Sequence, residues 1–185
     1  MTEKDREKWN SRYLEKDQVS PPCPLVRRFC RLSGPGRALD LAAGSGGNAL
    51  FLAGKGFQVE AVDVSDVAVK RLSALHPRIT AQCRDLDIWD IPRGRYDLIL
   101  NIRFLNRRLF PSIIEGLTDK GVLIFKSYLM GGAPKGTKGP VCRDYLLRPN
   151  ELLHAFLPLS IIYYREEIRR SATDKGRSAS LVAIK

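Results

Sequence analysis

Apolar and polar positions change their period near residue 37. Before it the spacing is helical. Trp9 and Tyr13 stand four apart among charges of both signs, which predicts an amphipathic helix over residues 1–16. Ser20-Pro21-Pro22-Cys23-Pro24 breaks it. Leu25, Val26, Phe29 and Cys30 then predict a short helix that Ser33-Gly34-Pro35-Gly36 ends. From there, short apolar runs alternate with helix-period segments. Strands are predicted at 37–41, 57–62, 78–83, 96–102 and 122–128, the last opened by Gly121. Helices are predicted through Leu50-Phe51-Leu52, through Val69, Leu72 and Leu75 with Ser65 as cap, and through Leu109, Ile113, Ile114 and Leu117. A helix starting at Pro149 carries Leu152, Leu153 and Phe156. Two last strands, 159–164 and 180–184, flank a polar turn around Asp174-Lys175-Gly176.

Strand–helix alternation implies a parallel sheet covered on both faces, and the short final link implies an antiparallel pair. The expected architecture is α/β: a Rossmann-like three-layer sandwich on a mostly parallel seven-stranded sheet with a C-terminal antiparallel hairpin. Residues 1–185 are read as one domain. Residues 129–148, rich in Gly, Lys and Pro, are long for an idle connection and are read as a substrate-side loop. Ligands of such sheets sit beyond the carboxyl ends of the strands, so the strand tips are where chemistry is sought.

Composition narrows the class. At 185 residues and 44% apolar content the chain can bury a core without disulfide staples. Cys23, Cys30, Cys83 and Cys142 show no metal-ligand spacing, so no metal site is expected. The charged start lacks the apolar stretch of a secretory leader, and no apolar run is long enough for a membrane span; the expected location is the cytoplasm. The formal net charge of +11 raises affinity for anions, from small substrates to nucleic acid.

The chemistry-bearing segment is Asp40-Leu41-Ala42-Ala43-Gly44-Ser45-Gly46-Gly47-Asn48, at the end of the first strand. Its glycines allow a tight turn and a close ligand approach, and the next helix offers free N–H groups. A glycine turn alone also fits a dinucleotide site. Three acids at successive strand ends sharpen the reading. Asp63 can accept ribose hydroxyls, and Asp85 can meet an adenine amine. Asp40 puts negative charge where an amino acid's ammonium would lie and a pyrophosphate would not.

With those residues in view, the Asp40-x-Ala42-x-Gly44-x-Gly46-Gly47-Asn48 segment resembles motif I of class I S-adenosylmethionine (SAM) methyltransferases. Residues Asp5 to Tyr13, Arg103-Phe104-Leu105-Asn106-Arg107 and Tyr145 to Leu153 are similar to the tellurite-resistance (TehB-like) and thiopurine methyltransferase branch. The resemblance implies that Asp40, Ala42, Gly44 and Gly46 line the methionine part of SAM. It puts Asp63 and Val64 at the ribose, Asp85 and Leu86 at the adenine, and Asn101 and Arg103 under the sulfonium. Trp9 and Tyr13 would belong to a lid formed by residues 1–33.

Methyl transfer from a sulfonium needs alignment more than acid–base chemistry, and alignment alone can lower a barrier by about 7–11 kcal/mol. Neither His76 nor His154 stands where a base would. Tyr128, at the tip of the fifth strand, is read as a pocket wall on the substrate side. Arg103, Arg107, Arg108, Lys126, Lys135, Lys138, Arg143 and Arg148 gather near the expected mouth; Arg103 is the catalytic candidate, orienting the acceptor. The expected acceptor is a small anionic or soft nucleophile such as a thiol or a chalcogen oxyanion. An RNA-directed methyltransferase and a SAM-binding protein without turnover are the alternatives. No Asn/Asp-Pro-Pro-Tyr/Phe pattern follows the fourth strand to support the first of these.

Overall fold

The computed structural model describes residues 3–15, 18–130, 143–167 and 177–185. The chain runs α1 (Glu3–Glu15), α2 (Pro24–Phe29) continued by a 3₁₀ turn (Cys30–Leu32), β1 (Arg37–Leu41), α3 (Gly47–Gly54), β2 (Gln58–Asp63) and α4 (Asp66–Leu75). Then come β3 (Ile79–Cys83), β4 (Tyr96–Ile102), α5 (Leu109–Gly116), β5 (Leu117–Tyr128), a 3₁₀ turn (Arg143–Tyr145), α6 (Glu151–Ala155), β6 (Ser160–Glu167) and β7 (Ser178–Ile184).

The strands form one sheet in the order β3-β2-β1-β4-β5-β7-β6. The first five are parallel, and β7 lies antiparallel to both β5 and β6. This is the predicted mixed seven-stranded sheet. Successive side chains alternate between two cores, which is why the strands are apolar almost throughout. On one face Ala38, Leu98, Leu100, Val122 and Ile124 meet α2, α3 and α4. On the other, Leu39, Ile99, Leu123 and Phe125 meet α5 and α6 through Ile113, Leu152 and Phe156.

The chain leaves β1 toward β2 and β3, then returns to the other side of β1 as β4. That reversal opens a crevice at the carboxyl ends of β1 and β4. Local chemistry places its rim: Ser65 caps α4 by accepting the Ala68 N–H at 3.1 Å.

Some boundaries differ from the sequence reading. β5 begins at Leu117 rather than at Val122, because Leu117 already pairs with Tyr96; Lys120 (φ 67°) and Gly121 form a bend inside the strand. A Cβ on Gly121 would meet the Thr118 carbonyl at 2.8 Å, so the glycine marks that bend and not the strand's start. α6 starts at Glu151 and not at Pro149, since Asn150 takes a left-handed backbone (φ 62°). Residues 131–142 of the expected substrate-side loop, and the expected turn at 174–176, lie outside the described residues.

Candidate cofactor site at the strand tips

Asp40 and Asp63 end neighbouring strands and are both buried. Each Asp63 oxygen holds one backbone N–H and keeps a lone pair to spare: Oδ2 accepts the Gly44 N–H and Oδ1 the Ser65 N–H, each at 2.9 Å. Burial pushes its pKa up, opposed by the N–H groups of Ser65, Gly44 and Val64. Asp40 is 1% exposed, and its Oδ2 is buried with no hydrogen-bond partner among the described residues. Burial, then the Asp63 charge, push its carboxyl up to about 7, against a pull from the Ala49 N–H. An unsatisfied buried carboxylate oxygen is costly unless a donor arrives. A cationic ammonium is such a donor.

The turn between β1 and α3 is strained. Ala42 (φ 53°) joins Gly44 (φ 58°) in the left-handed region, which costs a non-glycine residue about 1–3 kcal/mol. A strap from the preceding segment crosses this turn. Ser45 Oγ donates to Ser20 Oγ at 2.9 Å and accepts the Ser20 N–H at 3.1 Å, and Asn48 Oδ1 accepts the Cys23 N–H at 2.8 Å. Gly47 makes the crossing possible, since a Cβ there would lie 1.9 Å from the Ser20 carbonyl oxygen.

α1 lies across the tips of β2 and β3 and packs on α4. Asn10 accepts from Ser65 Oγ at 2.6 Å and donates to Asp66 at 2.7 Å. Arg6 donates to the Val64 carbonyl and to Cys83 Sγ, each at 3.3 Å. Arg71 donates to the Tyr13 carbonyl. The Tyr13 hydroxyl hangs over the glycine turn, 2.8 Å from where a Gly44 Cβ would stand. Burial, then the Asp63 charge, push that phenol up. Trp9 stacks on Tyr13 with ring centroids 5.8 Å apart, and Arg12 lies over Trp9. Arg6 and Asn10 were missed as site residues. With Tyr13 they repeat at i, i+4 and i+7, a polar stripe on one face that the apolar pattern conceals.

The remaining candidates divide. Val64 is buried, with its carbonyl taken by Arg6 and the Cys83 thiol. Asp85 follows β3 at the rim, where Oδ1 accepts the Asp87 N–H at 2.9 Å. The Leu86 side chain is wholly in the core, and its carbonyl accepts from Asn106 at 3.2 Å. Asn101 is 1% exposed and donates to the Phe104 carbonyl at 2.7 Å, fixing the loop after β4. Arg103 (φ 62°) is exposed, and its N–H donates to the Lys126 carbonyl. Tyr128 is half-buried at the end of β5, where its carbonyl accepts the Leu147 N–H at 2.8 Å.

Three of the cations gathered by the sequence hold the scaffold together. Arg107 grips Glu151 Oε1 at 2.5 Å and Oε2 at 2.9 Å, and donates to the carbonyls of Asp144 and Leu146. Arg108 binds Asp90 and the Trp89 carbonyl, and Lys126 pairs with Glu167 at 3.5 Å. Arg103 is exposed and carries no carboxylate partner among the described residues, whereas Arg148, also exposed, stands beside Glu151 and donates its N–H to it. Lys135 and Lys138 lie outside them, as does the Arg143 side chain. His76 ends α4, its Nδ1 accepting the Arg78 N–H, and His154 is exposed on α6. Among the described residues, no three His, Cys, Asp or Glu side chains cluster to hold a metal ion, and no helix is long and apolar enough to cross a membrane.

Known proteins give the same picture from outside. The family model for the tellurite resistance protein TehB matches residues 7–175. TehB from Haemophilus influenzae superposes with a TM-score of 0.76 at 20% identity, over 96% of this chain and 67% of that one. An S-adenosylmethionine-dependent methyltransferase from Mesorhizobium loti gives 0.69 at 19% identity, over 88% and 96%. The N-methyltransferase NodS from Bradyrhizobium japonicum WM9, in complex with S-adenosyl-L-homocysteine, gives 0.69 at 17% identity, over 97% of each chain. A search of curated proteins returned no match.

Proposed function

The chain belongs to the TehB family and is an S-adenosylmethionine-dependent methyltransferase, and from that premise we propose that its acceptor is a small thiol or a chalcogen oxyanion such as tellurite. The observation that carries the cofactor half is the buried, unpartnered Asp40 Oδ2 beside Asp63 under the glycine turn. Bound in this crevice, SAM supplies a methyl group already activated on a sulfonium.

The chain's own residues bind and align. Asp40 holds the ammonium of the methionine part, beside the turn formed by Ala42, Gly44 and Gly46. Asp63 holds the ribose hydroxyls, with Val64 behind it, and Asp85 and Leu86 border the adenine. Asn101 fixes the loop after β4, so that its backbone forms the floor under the reacting end. Trp9 and Tyr13 act as a lid, with Arg6 and Asn10 seating it on the tips of β2 and β3.

On the acceptor side, Arg103 orients an anionic nucleophile and Tyr128 forms a wall. The family's name and the exposed, unneutralised Arg103 support this part. A thiolate or an oxyanion arrives deprotonated and needs no general base, in keeping with the positions of His76 and His154. The test is transfer of a labelled methyl group from SAM to tellurite, selenite and small thiols, with RNA as a parallel acceptor. Label reaching a small acceptor, at a rate that Arg103→Ala lowers, supports the reading. Label reaching only RNA, or nothing, overturns it.

A further inference from the structure

The cations of α2 and of the opposite end of the sheet have no part in the cofactor crevice. Between Gln18 and Val59 the chain carries Arg27, Arg28, Arg31, Arg37 and Lys55, and its one carboxylate there is the buried Asp40. These five, with Arg78, are all exposed, and none pairs with a carboxylate among the described residues. The fold strings them across one side of the sheet, from Arg28 over Tyr163 on β6 to Arg78 before β3. Arg27, Arg28 and Arg31 line α2 and the turn after it. Burial pushes the Cys30 thiol up while Lys55 and Arg31, both close by, pull against that shift. The Arg78 guanidinium lies over the Gly56 turn beside Lys55, 3.6 Å from where a Gly56 Cβ would stand. Arg37 opens β1, and the Arg78 carbonyl accepts from Val59, so both sit at the amino ends of the parallel strands, Arg78 before the edge strand β3.

Two details bear on the partner. The Arg28 Cζ lies over Phe29 and Tyr163, at 4.7 and 5.5 Å from the ring centroids, and Lys55 lies 5.8 Å from the Phe51 ring. Cations pre-oriented on rings lose less freedom when they meet phosphates. A carboxylate beside Arg37, Asp97, is already engaged by the Arg37 N–H and by Thr118 Oγ1. Among the described residues the exposed large apolar side chains nearby in the chain are Leu32 and Ile162, too little to enter a lipid surface.

We infer that this face is a docking surface for the phosphate backbone of a nucleic acid, at the end of the sheet away from the methyl-transfer crevice. It binds without delivering a base to the crevice, so it localises the enzyme and does not define its acceptor. Guanidinium groups suit phosphate oxygens, and recognition would be independent of sequence.

The test is fluorescence anisotropy with labelled single-stranded RNA of mixed sequence, across a salt series. Six engaged cations would give a log–log salt slope of about −4. Two triple variants carry the same change in net charge: Arg28→Glu/Arg31→Glu/Lys55→Glu on this face, and Lys70→Glu/Arg93→Glu/Lys120→Glu elsewhere. The first is expected to weaken RNA binding by about 10-fold or more and to flatten the salt slope, while the second changes it little. S-adenosylhomocysteine calorimetry on both variants checks that each is folded. RNA unbound by the native protein at low salt, or equal loss in the two folded variants, would overturn the inference. Binding to phosphatidylserine vesicles or polyglutamate as tight as to RNA would overturn the choice of partner.

Discussion

The Gly44 N–H donates to Asp63 Oδ2 across 2.9 Å, so the carboxylate that closes β2 also holds the turn that follows β1. One side chain thereby shapes the glycine turn and faces the place of the ribose. Asp63→Ala is expected to weaken S-adenosylhomocysteine binding about 10- to 100-fold, from hydrogen bonds to a charged group worth roughly 1.5–3 kcal/mol. Calorimetry on the native and variant proteins measures it. Equal affinities would remove Asp63 from the site.

Asp40 links cofactor binding to pH. Its folded-state carboxyl titrates at about 7, against an ordinary value of 3.8. Between those values the folded chain holds a proton that the unfolded chain releases. Stability of the ligand-free protein is therefore expected to fall as pH rises through that window and to level off above about 7. Affinity for S-adenosylhomocysteine runs the other way, rising toward pH 7 as the carboxylate that meets the ammonium forms. Among the described residues the charge acting on Asp40 is that of Asp63 on β2, itself faced by Tyr13 on α1, and neither supplies a compensating cation. Asp40→Asn is expected to flatten both profiles and weaken binding, while raising the ligand-free melting temperature above pH 7. A native affinity independent of pH from 5.5 to 8 would contradict the linkage.

Gly47 is where the Ser20 strap meets the glycine turn. A Cβ at Gly47 would lie 1.9 Å from the Ser20 carbonyl oxygen, a backbone atom that no rotamer change can move aside. Gly47→Ala is expected to cost about 1–3 kcal/mol or to lift the strap. In a chain of this size that is roughly 2–4 °C of melting temperature per kcal/mol. Gly54→Ala is the control, because a Cβ there meets nothing within 4 Å. Similar melting temperatures for the two variants would show that the strap is not fixed against α3.

The sheet was legible because its central strands are buried on both faces and so read as apolar runs, and because acids stand where those runs stop. Asp40, Asp63 and the glycines needed no tertiary information. The strap and the helix lid did need it: α1 has no buried residue, and its grip on the strand tips is made by Arg6, Asn10 and a backbone carbonyl. Polar contacts between segments over fifty residues apart leave no trace in the apolar period. The partners of the cations near the mouth were hidden for the same reason. Sequence proximity to β4 grouped Arg103, Arg107 and Arg108 together, yet two of the three turn away to Glu151 and Asp90.

Arg107 carries the last prediction. Its guanidinium takes both oxygens of Glu151 and two carbonyls, tying the loop after β4 to residues 144–151. Glu151 Oε2 also accepts the Arg148 N–H at 2.7 Å. The Glu151 side chain is only 17% exposed, so removing Arg107 leaves a half-buried carboxylate without its cation. Arg107→Ala is expected to cost about 1–3 kcal/mol at neutral pH, and Arg107→Lys to recover part of it, since an ammonium cannot reproduce the two-pronged grip. Burial acts to raise the Glu151 pKa, but Arg107 and the Arg148 N–H outweigh it and hold the carboxyl below its ordinary value of 4.5. A depressed acid stabilises the fold above its unfolded pKa and loses that contribution as pH falls through the folded one. The native and Arg107→Ala proteins should therefore differ in melting temperature at pH 7 and converge in acid. A gap that persists undiminished below the Glu151 titration would show that Arg107 acts through packing and its carbonyl contacts, and not through the carboxylate.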